Sequence, residues 1–213
     1  MHTNTNPTER QAAAFVALYD HFNAELFGGE LAPCLLNFSR KSGALGFFAP
    51  ERWSEDGAPV HEISINPMYL SERTAQQTAS TLVHEMAHAW QQEHGTPGRR
   101  GYHNREWAEK MEAVGLTPSS TGAPGGSRTG QRMTHFVTPG GVFEAAWARR
   151  PDGTADLFPL VCQESHETTT RKAASVKSKT KYTCGCGINI WAKPGIECLH
   201  CSDCGTDFVE AAE

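Results

Sequence analysis

The residues whose types and spacing carry chemistry most legibly are His84-Glu85-Met86-Ala87-His88, two imidazoles four positions apart with a carboxylate beside the first. On a helix, such positions are offset by about 40° around the axis and ~6 Å along it, so both rings can share one ion. Glu85 then lies beside the ion rather than on it. From there it can take a proton from a metal-held water, whose pKa falls from 15.7 to roughly 7, giving a nucleophile at neutral pH while the ion polarises a carbonyl. This is the chemistry of a zinc-dependent peptidase. The alternative, two unliganded imidazoles and a carboxylate among apolar Leu82, Val83 and Met86, would be costly to desolvate.

A catalytic zinc takes three protein ligands and keeps one position open. His94 completes a metzincin-like spacing, but Gln91 stands where that pattern has glycine, and an uninterrupted helix would carry His94 ~15 Å along the axis and about 80° to one side of His84. His103 follows the turn Gly95-Thr96-Pro97-Gly98, where the chain can reverse and return it to the ion. His103 is the expected third ligand, with Glu106 and Glu109 behind it.

The elements that must position these groups can be read from periodicity. Thr8 and Gln11 form a capping-box pattern, and Phe15, Leu18, Tyr19, Phe22 and Leu26 recur at helical spacing up to Gly28-Gly29. Leu35 to Arg40, Ala44 to Ala49 and His61 to Asn66 read as three short strands, with a polar stretch around Glu55-Asp56-Gly57-Ala58-Pro59. Ala75, Ala79, Leu82, Val83, Met86 and Trp90 make the stripe of a second helix, ending at Gly95. A third helix runs from Asn104 as N-cap to Val114 and Gly115, burying Trp107, Met111 and Val114. Thr117 to Arg132 has turn composition and reads as a long loop. Thr134 to Val137 and Val142 to Trp147 flank Pro139-Gly140-Gly141 and are expected to pair as a hairpin, with one further apolar run at Leu157 to Val161.

At the C-terminal end, Cys184-Gly185-Cys186 and Cys201-Ser202-Asp203-Cys204 are two tight pairs fourteen residues apart, the spacing of a small zinc ribbon. Residues 178 to 213 are too few to bury a stable core, and a four-thiolate zinc site would supply the missing folding energy. Cys198 and His200 are nearby and leave the ligand set open; Cys198 in place of Cys201 would lose the knuckle spacing. Five of the seven cysteines fall in this stretch, which reads as metal ligation in a reducing compartment rather than a disulfide framework. The polar N-terminus shows no secretory signal, so a cytoplasmic setting is expected. No apolar run approaches the ~20 residues of a membrane span.

The net charge of −5 argues against a uniformly basic surface, yet Thr168 to Ile196 carries six basic residues and no acidic one. With Lys177, Lys179, Lys181 and Lys193 about the ribbon, and Tyr182 and Trp191 able to stack on bases, this region is expected to contact DNA, single-stranded or without sequence preference. Its bland alternative is a solvated basic linker.

His84-Glu85-Met86-Ala87-His88, His103-Asn104-Arg105-Glu106-Trp107 and the terminal cysteines, together with Phe27-Gly28-Gly29-Glu30-Leu31 and His61-Glu62-Ile63-Ser64-Ile65-Asn66, resemble the SprT-like metallopeptidase family, which includes the eukaryotic protease Spartan. The resemblance implies an α+β fold: a zincin-like domain of three helices with a small sheet over residues 1–160, a polar linker over 161–177 and a zinc ribbon over 178–213. It implies one catalytic zinc on His84, His88 and His103 with Glu85 as general base, and a strand near the sheet edge lining the cleft, for which His61 to Asn66 is the match. A peptide could add to such an edge. The second zinc is structural, on Cys184, Cys186, Cys201 and Cys204. The expected activity is that of an endopeptidase acting on DNA-associated or DNA-crosslinked proteins. The rival readings are a non-proteolytic DNA-binding adaptor that retains metal, and a hydrolase of non-peptide amides. Glu85 argues against the adaptor, because a purely structural site needs no base.

Overall fold

The structure, a computed structural model, describes residues 6–154 and 179–210. The expected run Leu157 to Val161 and the whole polar linker over 161–177, with Cys162 and Lys177, lie outside the described residues. The chain divides into two compact units between Ser165 and His166, each described by itself.

The first unit opens with α1 (Pro7–Phe27). Its N-cap is Asn6, whose side chain accepts from the Thr8 amide at 2.9 Å, rather than Thr8 itself; Pro7, with no amide hydrogen to satisfy, takes the first helical position. Gly28 ends the helix in the left-handed region at φ 68°, where a Cβ would be strained. Phe15, Leu18, Tyr19 and Phe22 form its buried face.

Strands β1 (Leu35–Phe38), β2 (Gly46–Glu55) and β3 (Ala58–Ile65) form a sheet in the order β1-β3-β2. β3 is therefore central, parallel to β1 and antiparallel to β2. This corrects the expectation that His61 to Asn66 offers an exposed edge: Glu62 to Ile65 is paired on both sides, and the free sides of the sheet belong to its outer strands, β1 and β2. The stretch read as a polar spacer is the far end of the β2–β3 hairpin, closed by Asp56 and Gly57, both at positive φ as a two-residue turn requires. A bulge interrupts β2 between Ala49 and Trp53, with Glu51 at φ 49°. The Glu51 amide donates to His61 Nδ1 at 2.8 Å, while buried Glu62 accepts from Trp53 Nε1 at 2.7 Å and from Ser64 Oγ. Polar residues of β3 thus pin the bulged strand.

After a 3-10 turn at Pro67–Tyr69, α2 (Ala75–His94) starts with a complete capping box between Thr74 and Gln77. The helix α3 (Arg105–Ala113) follows, with the Asn104 side chain accepting from the Trp107 amide at 3.0 Å. Leu116–Ser119 (β4) pairs antiparallel with Thr134–Val137 (β5), so the first residues of the supposed long loop are a strand. Val142–Ala148 is not the partner of β5 but a short helix, α4. Phe143 and Ala146, three apart, are its buried residues; Phe143 stacks on Phe22 of α1 at 5.6 Å, and Glu144 accepts from the Gly140 amide at 2.7 Å. Tertiary packing there selects the helical period over alternation. The core joins Phe15, Leu18 and Phe22 to Leu82, Met86, Trp107 and Met111, each contributing roughly 1.5–3 kcal/mol by removal from water.

In the second unit, β6 (Thr180–Thr183) lies between β7 (Asn189–Ala192) and β8 (Val209–Glu210), all antiparallel. The whole is a mixed α+β chain with a small β unit at its C-terminal end. No helix among the described residues is long and apolar enough to cross a membrane.

Candidate metal centres

α2 presents His84 and His88 one turn apart, and the Gly95 to Tyr102 turn brings His103 back to them. One donor atom from each of the three lies within 4.8 Å of the others, near what a shared ion at about 2.0–2.1 Å from each nitrogen needs. The three rings gather about Trp107, whose indole is fully buried and lies 4.4 Å from His103, 4.9 Å from His84 and 5.2 Å from His88 by ring centroids. Burial holds the imidazoles below their ordinary range, His88 down to about 3, with the neighbouring histidines adding to the effect on His84 and His88. They are neutral, as metal ligands must be, so an ion need displace no proton from them. The donor set fits zinc.

Glu85 is buried, and loss of solvent raises its carboxyl from 4.5 to about 8. The Phe48 backbone amide, which donates to it, and the charge of Lys41 oppose that rise. A strand amide given to a side chain is not spent on the neighbouring strand, so Phe48 turns the free side of β2 towards Glu85.

The competing ligands are accounted for elsewhere. His94 sits at the end of α2 with Nε2 3.3 Å from the Glu30 carbonyl and 3.6 Å from Glu93. Glu106 accepts from Gln91 Nε2 at 2.6 Å and from the Thr96 amide at 2.7 Å, fastening the turn between α2 and α3. Gly95 is required beneath it, since a Cβ there would meet Glu106 Oε2 at 2.5 Å. Glu109 pairs with Arg105 at the surface.

The segment between β4 and β5, left without a role by its sequence, buttresses the third histidine. His103 and Gly130 exchange backbone hydrogen bonds at 2.8 and 3.1 Å, and His103 Nδ1 donates to the Gly130 carbonyl at 3.2 Å, leaving Nε2 for an ion. Arg128 anchors the segment to α3 through both carboxylate oxygens of Glu112, at 2.7 and 2.6 Å. One neighbour gave no sequence signal at all: His135 of β5 places Nδ1 3.1 Å from His84 Nδ1 and Nε2 2.9 Å from Ser80 Oγ. Nothing in the alternation of Thr134 to Val137 marks it, because its partners are 51 and 55 residues away.

The second cluster is Cys184, Cys186, Cys201 and Cys204, with sulfurs all within 4.8 Å of one another. Cys198 is exposed and outside the group, and His200 is turned to Asp207 at 2.9 Å, so the structure gathers the two tight pairs and leaves both of these residues out of the cluster. Thr206 Oγ1 accepts from the Gly185 amide at 2.9 Å and lies 3.1 Å from Cys204 Sγ, tying the two knuckles together. That hydrogen bond pulls the Cys204 thiol down to about 6.

Of the residues expected to meet DNA, Lys181 and Trp191 are cross-strand partners, so their side chains share one face, where Trp191 is 62% exposed. Lys179 and Lys193 are exposed as well. Tyr182 is a correction. It points to the opposite face, is buried, donates from its hydroxyl to the Lys193 carbonyl at 2.9 Å and accepts from the Ile196 amide, so it holds the ribbon together and cannot stack on a base.

The SprT-like family profile matches residues 15–127, more than half of the chain and inclusive of all three histidines and Glu85. No protein of curated function matches. With its metallopeptidase-like helix pair and its clustered cysteines, this chain belongs to the SprT-like family.

Proposed function

We propose that the chain is a zinc-dependent endopeptidase, with the ion held by His84, His88 and His103 and with Glu85 as general base. The observation that carries this reading is the contact between Phe48 and Glu85: the buried base lies against the free side of β2. An extended peptide that added to β2 would run past that carboxylate and the histidine cluster, its backbone held by the strand and its side chains alternating in and out. When bound, zinc supplies Lewis-acid polarisation of the scissile carbonyl and acidifies the attacking water. Glu85 accepts the water proton on its carboxylate and passes it to the leaving amine. Burial raises the proton affinity of Glu85 in the metal-free site, and a cation beside it would lower that affinity towards the range in which a base accepts and returns a proton at neutral pH.

The substrates we propose are proteins on DNA. Lys181 and Trp191 on the open face of the ribbon, with Lys179 and Lys193 near them, join positive charge to an exposed indole, a combination that binds single strands with little sequence preference. The test is cleavage of an unfolded DNA-binding protein by the zinc-loaded chain and by Glu85→Gln, with and without single-stranded DNA. Cleavage should require Glu85 and increase with DNA. Equal proteolysis by both proteins would overturn the assignment of the base, and indifference to DNA would overturn the substrate class.

A further inference from the structure

The contacts of His135 point to a role beyond filling space in β5. Ser80, one helical turn before His84, donates its hydroxyl to the Gln77 carbonyl at 2.9 Å. Its oxygen is then an acceptor towards His135 Nε2, 2.9 Å away, which fixes the hydrogen of that ring on Nε2. His135 Nδ1 is left as a lone pair, and it faces His84 Nδ1 at 3.1 Å. One of two nitrogens in such contact must carry the hydrogen, so it sits on His84 Nδ1. His84 Nε2 is consequently a bare lone pair. The reverse chain, with Ser80 donating to His135, would place a hydrogen on the His84 nitrogen needed by an ion.

We infer that His135, held by Ser80, is a positioning residue that fixes the tautomer and ring orientation of His84 for metal binding. The inference rests on the reading of His84 as a zinc ligand. It assigns to β5 the same task that the Gly130 carbonyl performs for His103, so two of the three ligands have their outer nitrogens held by the chain that returns after α3. An imidazole here is a neutral acceptor. It orients the ligand without adding negative charge beside the ion, as a carboxylate would.

The test is zinc affinity of the full chain by competition with a chromophoric chelator, the four-cysteine site serving as internal reference. His135→Leu should weaken the histidine site by about 10–100-fold and leave the cysteine site alone. His135→Asn sets an amide oxygen where Nδ1 stood, and should recover most of the loss. Ser80→Ala, which frees the His135 tautomer, should weaken binding by less than His135→Leu. In the zinc-loaded wild type, two-bond 1H–15N spectra of the imidazoles should show His135 protonated on Nε2 only. Wild-type affinity in His135→Leu, no recovery in His135→Asn, or a hydrogen on His135 Nδ1 would each overturn the inference. Should His135→Leu fail to fold, the asparagine and Ser80 variants and the wild-type spectrum still decide it. His84→Ala separates the two levels: if it keeps zinc at this site the ligand assignment falls with the inference, whereas loss of zinc there beside full affinity in His135→Leu removes the inference alone.

Discussion

Replacing Glu85 by Gln should make the metal-free protein more stable while it abolishes cleavage. Glu85 is buried, and its carboxyl is raised from 4.5 to about 8 mainly by loss of solvent. At pH 7 the folded protein therefore holds a proton that the unfolded chain has released. The raised value means that this contribution to stability is intact below pH 4.5 and is lost progressively as pH climbs towards 8. At 1.36 kcal/mol per pH unit, the loss between pH 4.5 and 7 is roughly 3 kcal/mol. Glutamine has nearly the same shape, offers the Phe48 amide an acceptor and has no proton to lose, so it escapes that penalty. Urea unfolding of wild type and Glu85→Gln, both stripped with a chelator so that loss of the ribbon metal is common to them, should give a difference near zero at pH 4.5. It should grow to about 3 kcal/mol in favour of the variant by pH 7. The lowered histidines act below pH 6.5, which overlaps this window, but they are common to both proteins and cancel in the comparison. The same variant should lose about 10²–10⁴-fold in proteolytic rate with zinc restored. A difference that does not grow with pH, or a variant less stable than wild type at pH 8, would refute the account of a base held against its solvation preference.

Three further outcomes follow from the geometry. Because burial holds His88 at about 3 and lowers His84 and His103, zinc release in the Glu85→Gln background should begin below the 6.5 of an ordinary imidazole, and an onset at 6.5 or above would contradict the burial argument. Glu106→Ala removes the acceptor of the Thr96 amide and of one Nε2 hydrogen of buried Gln91, whose other bond goes to Asn104, so denaturant unfolding should show a loss of about 1–3 kcal/mol with zinc content unchanged; zinc loss would return Glu106 to the ligand set. In the ribbon, Cys198→Ser should keep the second zinc and Cys201→Ser should lose it, while Trp191→Ala should weaken single-strand binding by about 1–3 kcal/mol and Tyr182→Phe should reduce ribbon stability without that loss of contact.

What the sequence determined by itself is what lies within a few turns of chain. His84, Glu85 and His88 are related by one helix whose stripe and capping box are local, and Asn104 and the glycine-proline turn fix where His103 re-enters. The cysteine knuckles are likewise local, and their spacing favours Cys201 over Cys198, the same four residues that the structure gathers. Tertiary structure decided whatever depends on partners distant in the chain. Sheet order made β3 central and left the free sides to β1 and β2, because alternation reveals which residues face the core but not which strand lies beside which. Packing against Phe22 turned Val142 to Ala148 into a helix, since a short apolar run satisfies both periods until something is placed against it. Tyr182 went inward and Trp191 outward, although both were equally able to stack by type, because only one face of the small sheet is covered. The contact between His84 Nδ1 and His135 Nδ1 spans 51 residues of sequence, and no local pattern could have announced it.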